Sequence, residues 1–309
     1  MNNFKKSSLV LACLLLFGAT AVLCACDPNP SEDSSGGGKT PPAVDYAVDE
    51  SLIGSVDPND EQFAPENVQT EADHPLRDKT VYWLGSSVTY GSAAQGDSMA
   101  DFLAAKTGCT VKKDAVSGTT IYDDGGTGDS GARSYTRRLT ESTVFDKTEH
   151  VDAFICQIST NDATNARLEK WGSVSDNDLL DKDDFDRGTT LGGVEYIIAY
   201  VTETWDCPVY FYSGAYFGDE GTRKNTNPKG SNYGKLVAEV QKVVDKWNSW
   251  YGYEVGIIDM YNDEAFNAAA SDEYYEWCMS DAIHPKRAGY LQWWMPYFEN
   301  YLMINLEAF

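Results

Sequence analysis

The feature that most constrains the fold is an alternation of short apolar segments with longer helical ones, from about residue 75 to the C-terminus. Five segments have the length and apolar content of strands: 80–84, 109–116, 151–157, 208–213 and 254–260. Five segments with helical character separate or follow them: 97–105, 134–141, 191–205, 235–251 and 285–306. This alternation is typical of βαβ units with right-handed crossovers. The sequence therefore predicts one doubly wound α/β domain, residues 76–309, with a five-stranded parallel sheet.

Small polar residues follow three of the predicted strands. Ser86 and Ser87 end the first, Ser117-Gly118 follows the second, and the third runs into Ser159-Thr160-Asn161-Asp162. A further polar group, 281–284, precedes the last helix. Because open α/β sheets bind ligands at the carboxyl ends of their strands, we expect these groups to line one cleft.

A serine acts as a nucleophile only when a base removes its proton. The chain has three histidines. His74 lies in a segment predicted to be disordered, and His150 precedes a strand at the opposite sheet edge. His284 is therefore the candidate base for Ser87, and Asp281, three residues earlier, could orient its ring.

These groups resemble the four sequence blocks of the SGNH hydrolases, also called GDSL esterases and lipases, from about Thr80 to the C-terminus. The blocks read Gly85-Ser86-Ser87-Val88, Ser117-Gly118, Ser159-Thr160-Asn161-Asp162 and Asp281-Ala282-Ile283-His284, in the family's order. Two positions depart from the family pattern, since Ser86 stands where Asp is common and Ser159 where Gly is common.

The resemblance implies a flavodoxin-like three-layer α/β/α sandwich that works without a metal or cofactor. It places Ser87 as nucleophile, His284 as base and Asp281 as its partner, with an oxyanion hole made by the N–H groups of Ser87 and Gly118 and the Asn161 amide. The residues alone leave alternatives: Ser86 could be the nucleophile, Ser87 or the pair Asn161-Asp162 could cap a helix, and His284 could belong to a turn.

The N-terminal residues 1–25 read as a secretory signal, with Lys5 and Lys6 before an apolar run from Leu9 to Leu23. The run ends Leu23-Cys24-Ala25-Cys26, which resembles a bacterial lipobox. By that resemblance Cys26 carries the lipid of an exported protein, anchored at the outer face of the cytoplasmic membrane or at the cell surface. An ordinary signal peptide is the alternative.

Residues 26–75 predict a disordered acidic tether. They contain Ser34-Ser35-Gly36-Gly37-Gly38, several prolines and many acids, and almost no periodic apolar pattern. A segment with little hydrophobicity and one sign of charge cannot offset the entropy cost of folding. The Asp- and Lys-rich stretch within 173–190 predicts a surface insertion.

Charge and cysteine content exclude several classes of function. With 48 acidic and 24 basic residues, the chain has a formal net charge of −24, which repels phosphate backbones and disfavours a nucleic-acid partner. Cys109, Cys156, Cys207 and Cys278 show no zinc-ligand spacing, so they pack as small hydrophobes or form a bridge that the sequence does not specify. The acidic clusters 123–129 and 176–178 do not have EF-hand spacing, so no metal is expected.

The predicted function is a serine esterase that removes O-acyl groups, chiefly acetyl, from carbohydrate outside the cell. Aromatic residues in loops near the predicted cleft could stack on sugar rings, although core packing is an equal alternative: Trp171, Tyr216, Phe217 and Trp277. A lipase or thioesterase for longer acyl chains and a non-catalytic carbohydrate-binding lipoprotein are the rival functions. We expect a monomer.

Overall fold

The computed structural model describes residues 43–126, 133–176, 181–217 and 230–306. The chain divides into two compact units, residues 1–40 and 41–309, and the described residues all belong to the second. The predicted signal peptide, residues 1–25, and the predicted lipidation site Cys26 lie outside the described residues. Within those ranges no helix has the length and apolar character needed to span a membrane.

The centre of the domain is a five-stranded parallel sheet with strand order 2-1-3-4-5. The strands are β1 (Thr80–Gly85), β2 (Thr110–Ala115), β3 (Ala153–Gln157), β4 (Val209–Tyr212) and β5 (Val255–Ile258). Every residue of β3 and β4 is buried, as expected for strands covered on both faces. The outer strand β2 carries Lys112 and Lys113, and charged side chains on an edge strand discourage pairing with another chain.

Helices cover the sheet. They are α1 (Ser87–Tyr90), α2 (Met99–Thr107), α3 (Tyr135–Glu141), α4 (Thr190–Trp205), α5 (Gly230–Tyr251), α6 (Glu264–Ala268), α7 (Asp272–Cys278), α8 (Arg287–Gly289) and α9 (Met295–Leu306). Helix α2 packs against α9, whereas α3 and α5 both pack against α4. The predicted three-layer fold with a five-stranded parallel sheet is confirmed. The short helices α1, α6 and α7 were not predicted, because one or two turns give too little periodicity to detect.

The last predicted helix, 285–306, is divided by a π-helical turn, Tyr290–Trp294. Pro296, at the second position of α9, has no N–H to donate to the carbonyl four residues earlier. That carbonyl, of Gln292, instead accepts a hydrogen bond from Ala47 N–H at 3.0 Å. The irregular turn therefore provides an attachment point for the N-terminal segment.

The prediction that residues 26–75 are disordered is wrong for residues 43–75. This part forms 3-10 turns at Glu50–Leu52, Glu61–Phe63 and Pro65–Asn67. Phe63 is buried with its ring edge-on to Trp277, whose indole N–H donates to the Val56 carbonyl at 3.0 Å. Composition reports only the apolar content of the segment itself. In the structure, the few apolar residues of this segment pack against the surface of the folded domain.

His74 is likewise buried rather than solvated. Its Nδ1 accepts a hydrogen bond from Leu76 N–H at 3.1 Å, so the proton lies on Nε2, which is 2.9 Å from Glu299 Oε1. Lys106 Nζ lies 2.7 Å from the other Glu299 oxygen. This neutral tautomer ties the N-terminal segment to α9 and leaves His74 no role as a base for Ser87.

The predicted insertion at 173–190 is only partly superficial. Ser175 binds a buried ion pair between Glu195 on α4 and Lys246 on α5. Phe185 is buried, and the Arg187 carbonyl accepts a hydrogen bond from Asp123 N–H at 2.7 Å. Residues 177–180, which include part of the acidic cluster 176–178, lie outside the described residues, as does the end of the cluster 123–129. Among the described residues, Cys109, Cys156, Cys207 and Cys278 are buried and form no disulfide, so the bridge that the sequence left open is not formed.

Candidate active site

Ser87, His284 and Asp281 form one hydrogen-bonded chain. Ser87 Oγ lies 2.8 Å from His284 Nε2, although 197 positions separate the two residues. On the other side of the imidazole, Nδ1 lies 2.7 Å from Asp281 Oδ2 and 2.9 Å from Oδ1. A hydroxyl, a base and an orienting carboxylate in this order can perform nucleophilic catalysis.

The turn after β1 presents Ser87 at the start of a single helical turn. Two glycines make this turn possible. A Cβ at Gly85 would lie 1.7 Å from Thr89 Oγ1, and a Cβ at Gly91 would lie 2.2 Å from Asp97 O. Gly91 also has a φ of +82°, the left-handed conformation that ends the helix after Tyr90.

The structure distinguishes the two adjacent serines. Ser86 is fully buried, and its backbone N–H and hydroxyl both bind Gln157 Oε1, at 2.9 and 3.2 Å. Thr89 Oγ1 binds the same oxygen at 2.9 Å. The serine that reaches the imidazole is therefore Ser87, whereas Ser86 anchors the turn to β3. Sequence reasoning missed Gln157, although a polar residue at the end of an apolar strand was a usable signal.

Asp281 is held as an acceptor by its own turn. Its Oδ1 accepts from the N–H groups of Ile283 and His284 at 2.7 and 2.9 Å. Partial burial on its own would raise the pKa of Asp281, but the hydrogen bonds from the His284 ring and these N–H groups outweigh it and lower the pKa to about 2. The carboxylate therefore stays ionised at neutral pH, where it can favour the neutral imidazole tautomer with its proton on Nδ1.

The three predicted oxyanion donors lie at the carboxyl ends of the adjacent strands β1, β2 and β3. Within the described residues, the N–H groups of Ser87 and Gly118 donate to no other group. Gly118 has a φ of +80°, and nothing lies within 4 Å of where its Cβ would be. Asn161 Nδ2 donates one N–H to Thr119 O at 3.0 Å, and an amide has a second N–H for an incoming oxygen.

Asp162 joins the loops behind this edge of the sheet. It is fully buried, and its two oxygens accept from Ile121 N–H at 3.0 Å and from the Thr190 hydroxyl at 2.8 Å. Burial raises the pKa of Asp162 to about 6, against hydrogen bonds that lower it. A side chain that the sequence offered as a possible helix cap thus connects the loop after β2 with α4.

The stability of the fold should fall as pH rises through the range in which Asp162 ionises. The unfolded chain releases this proton near pH ~4, so up to about pH 6 the folded state binds more protons than the unfolded state. The free energy of unfolding of the wild type, minus that of Asp162→Asn, should be roughly 2–3 kcal/mol greater at pH 4 than at pH 7. Urea denaturation of both proteins at each pH measures this difference, and a value independent of pH would contradict the assignment.

The four aromatic residues predicted to stack on sugar lie in different environments. Phe217 is wrong as a contact residue, because it is 1% exposed and stacks on Tyr233 in the core. Trp277 is half-buried beneath the N-terminal segment. Tyr216 packs on Tyr261 with ring centroids 5.1 Å apart, and Trp171 donates from its indole N–H to Asp162 O at 2.9 Å. Trp171 is thus bonded to the residue next to the predicted oxyanion donor Asn161.

One set of possible metal ligands occurs in the described part of the chain, Glu71, His74 and Glu299. Lys106 already contacts both glutamates, with Nζ 3.6 Å from Glu71 Oε1 and 2.7 Å from Glu299 Oε2. The proton on His74 Nε2 also faces Glu299, so this nitrogen is not available as a ligand in its present tautomer. The arrangement fits an ion-pair network that attaches the N-terminal segment.

Comparisons with known proteins support the fold. No protein-family model and no curated protein matches the sequence. A solved protein from Lactobacillus plantarum superposes with a TM-score of 0.50 at 20% identity, over 74% of this chain and 98% of its own. An active-site mutant of a family two carbohydrate esterase from Clostridium thermocellum gives a TM-score of 0.50 at 13% identity, over 74% of this chain and 64% of its own. At these identities the likeness is one of fold.

Proposed function

We propose that this protein is a serine ester hydrolase that removes O-acyl groups, chiefly acetyl, from carbohydrate outside the cell. The observation that carries the proposal is the chain from Ser87 Oγ through the His284 ring to the Asp281 carboxylate, with 2.8 and 2.7 Å between the bonded atoms. A carbohydrate-binding protein without turnover has no need of a base aimed at a serine hydroxyl.

The geometry supports a two-step acyl transfer. His284 Nε2 takes the Ser87 proton as Oγ attacks the acyl carbon, and the N–H groups of Ser87, Gly118 and Asn161 bind the oxygen that becomes negative. The imidazolium then returns its proton to the departing alcohol, leaving an acyl-serine. A water molecule, deprotonated by the same imidazole, attacks this ester and releases the acid and free Ser87.

The surface composition favours a short acyl group. Among the described residues the exposed large apolar side chains are Tyr90, Val144 and Leu168, which belong to separate segments. A lipase or thioesterase for long chains needs a continuous apolar trough, and three scattered side chains do not make one.

A carbohydrate substrate is supported by the fold and by Tyr90. One protein of the same fold is a family two carbohydrate esterase. Tyr90 is 46% exposed and lies three residues after Ser87 on the same helical turn, where residues three apart are neighbours. Its ring can stack on a sugar beside the nucleophile. The predicted export signal and lipidation at Cys26 would place the enzyme where polysaccharide occurs.

The purified mature protein should release acetate from acetylated xylan and hydrolyse p-nitrophenyl acetate faster than p-nitrophenyl palmitate. The reason is that the scattered exposed apolar side chains of the described residues offer a long acyl chain no continuous surface from which to gain binding energy. Acetate release and kcat/KM for the two nitrophenyl esters measure the preference. Faster hydrolysis of the palmitate would favour a lipase, and binding of xylan with no turnover of any ester would favour a binding protein.

A further inference from the structure

Arg138 is a buried arginine that the catalytic chain does not use. It lies on α3, is 8% exposed, and extends its guanidinium between the ends of β1 and β2. Its charge is balanced by Asp114 of β2, whose side chain is also largely buried. A buried ion pair by itself is weak evidence for a functional role, so the argument depends on the remaining contacts of the guanidinium.

The guanidinium has five N–H donors, and the structure provides five acceptors. Nε donates to Arg133 O at 2.8 Å, and Nη1 donates to the backbone and side-chain oxygens of Asp114. Nη2 donates to Gly85 O at 2.7 Å and approaches Thr119 Oγ1 at 3.3 Å. A planar group with donors in a fixed fork can satisfy this set, whereas a lysine ammonium has three donors and no plane.

The contacts of Nη2 lie next to the two backbone donors of the oxyanion hole. Gly85 O belongs to the peptide that joins Gly85 to Ser86, and the N–H of that peptide binds Gln157. This peptide is therefore fixed on both sides, and the following peptide carries the Ser87 N–H. One guanidinium nitrogen thus holds the chain immediately before the nucleophile.

The same nitrogen reaches the loop that carries Gly118. Thr119 Oγ1 donates to Val116 O at 2.6 Å, which closes the turn around Gly118, and it accepts from Arg138. In the described residues the Gly118 N–H makes no hydrogen bond, and a glycine backbone can adopt many conformations. Val116 N–H donates to Gly85 O at 3.2 Å, and Arg138 adds a second connection, because its Nη2 donates to the same carbonyl and also reaches Thr119 Oγ1.

We propose that Arg138 is a positioning residue that fixes the Ser87 and Gly118 N–H groups relative to each other, an inference that rests on the proposed ester hydrolysis. Donors stabilise an oxyanion well only when they already point at it before the charge develops. A shift of one loop relative to the other would misplace one donor while leaving the Ser87–His284–Asp281 chain intact.

The test compares Arg138→Lys with Arg137→Lys in the full mature protein. Arg137 precedes Arg138 on α3, and its Nε binds Asp123 Oδ2 at 2.7 Å, so lysine there can keep an ion pair. With p-nitrophenyl acetate, Arg138→Lys should lower kcat about 100-fold, the size of losing one oxyanion donor, and leave KM within about threefold. The Arg137→Lys variant should keep kcat within about twofold, because its side chain holds neither donor.

A second variant and a spectroscopic readout separate positioning from simple loss of stability. Thr119→Val removes the hydroxyl that accepts from Arg138 and donates to Val116 O, with little change in volume, and should lower kcat at least about fivefold while the protein remains folded. In selectively ¹⁵N-labelled protein, the amide signals of Ser87 and Gly118 should shift in Arg138→Lys but not in Arg137→Lys. In Thr119→Val the Ser87 signal should shift, and it is the informative one because Thr119 is next to Gly118 in the chain.

Unchanged amide signals, or a folded Arg138→Lys protein with wild-type kcat, would overturn the proposal. If the wild type hydrolyses no ester, the proposed function fails, and the Ser87 and Gly118 signals still decide the role of Arg138. If Arg138→Lys does not fold, kcat and the Ser87 amide signal of Thr119→Val decide the question, because the Thr119 hydroxyl is the group on the Gly118 turn that Arg138 contacts.

Discussion

Replacing Ser87 with alanine should lower kcat for acetyl-ester hydrolysis by about 10⁴-fold or more, because no other hydroxyl is bonded to the His284 ring in the described structure. The matched variant Ser86→Ala should keep kcat within about tenfold. It loses the 3.2 Å hydroxyl contact to Gln157 but retains the 2.9 Å contact from its backbone N–H. The two serines are adjacent in the chain, so a difference between the two variants shows which hydroxyl reaches the His284 ring.

Steady-state kinetics with p-nitrophenyl acetate measures both effects, and thermal unfolding of each variant shows whether the fold is intact. Residual binding and oxyanion stabilisation can leave some turnover over water in Ser87→Ala. Wild-type turnover in that variant would remove Ser87 as nucleophile. A greater loss in Ser86→Ala than in Ser87→Ala, with both proteins folded, would assign the role to Ser86.

Replacing Lys246 with methionine should lower the free energy of unfolding by roughly 3–5 kcal/mol, since it leaves a buried carboxylate unpaired. Lys246 on α5 pairs with Glu195 on α4, and their side chains are 4% and 0% exposed. Ser175 completes the group, with its Oγ 2.9 Å from Glu195 Oε1 and 2.6 Å from Lys246 Nζ. Loss of the cation would therefore weaken the contact between two helices and the segment that follows Gly172.

Urea denaturation measures the change, with Lys242→Met as the control on the same helix. Lys242 is 61% exposed at its side chain and pairs with Glu239 at the surface, so its loss should cost less than about 1 kcal/mol. The double variant Lys246→Met with Glu195→Leu should recover much of the lost stability, because it buries no unpaired charge. Equal effects at Lys246 and Lys242 would contradict the buried pairing.

Local sequence patterns were sufficient to predict the sheet. Strand and helix periods depend on near neighbours in the chain, so all five strands were identified from the apolar segments alone. The carboxyl ends of parallel strands share one edge, which is why Ser87, Gly118 and Asn161 could be assigned to one cleft before any contact was known. The small number of histidines then left His284 as the partner for Ser87.

Other properties depend on contacts between distant parts of the chain, and these only the tertiary structure decided. Gln157 separates the roles of Ser86 and Ser87 from a neighbouring strand, and Phe217 is buried by a helix that follows it in sequence. Residues 43–75 are ordered because they bond to Gln292 and Trp277, which lie more than two hundred positions later in the chain. A local pattern fixes the type and ends of an element, whereas these outcomes depend on which side chains meet when the elements pack.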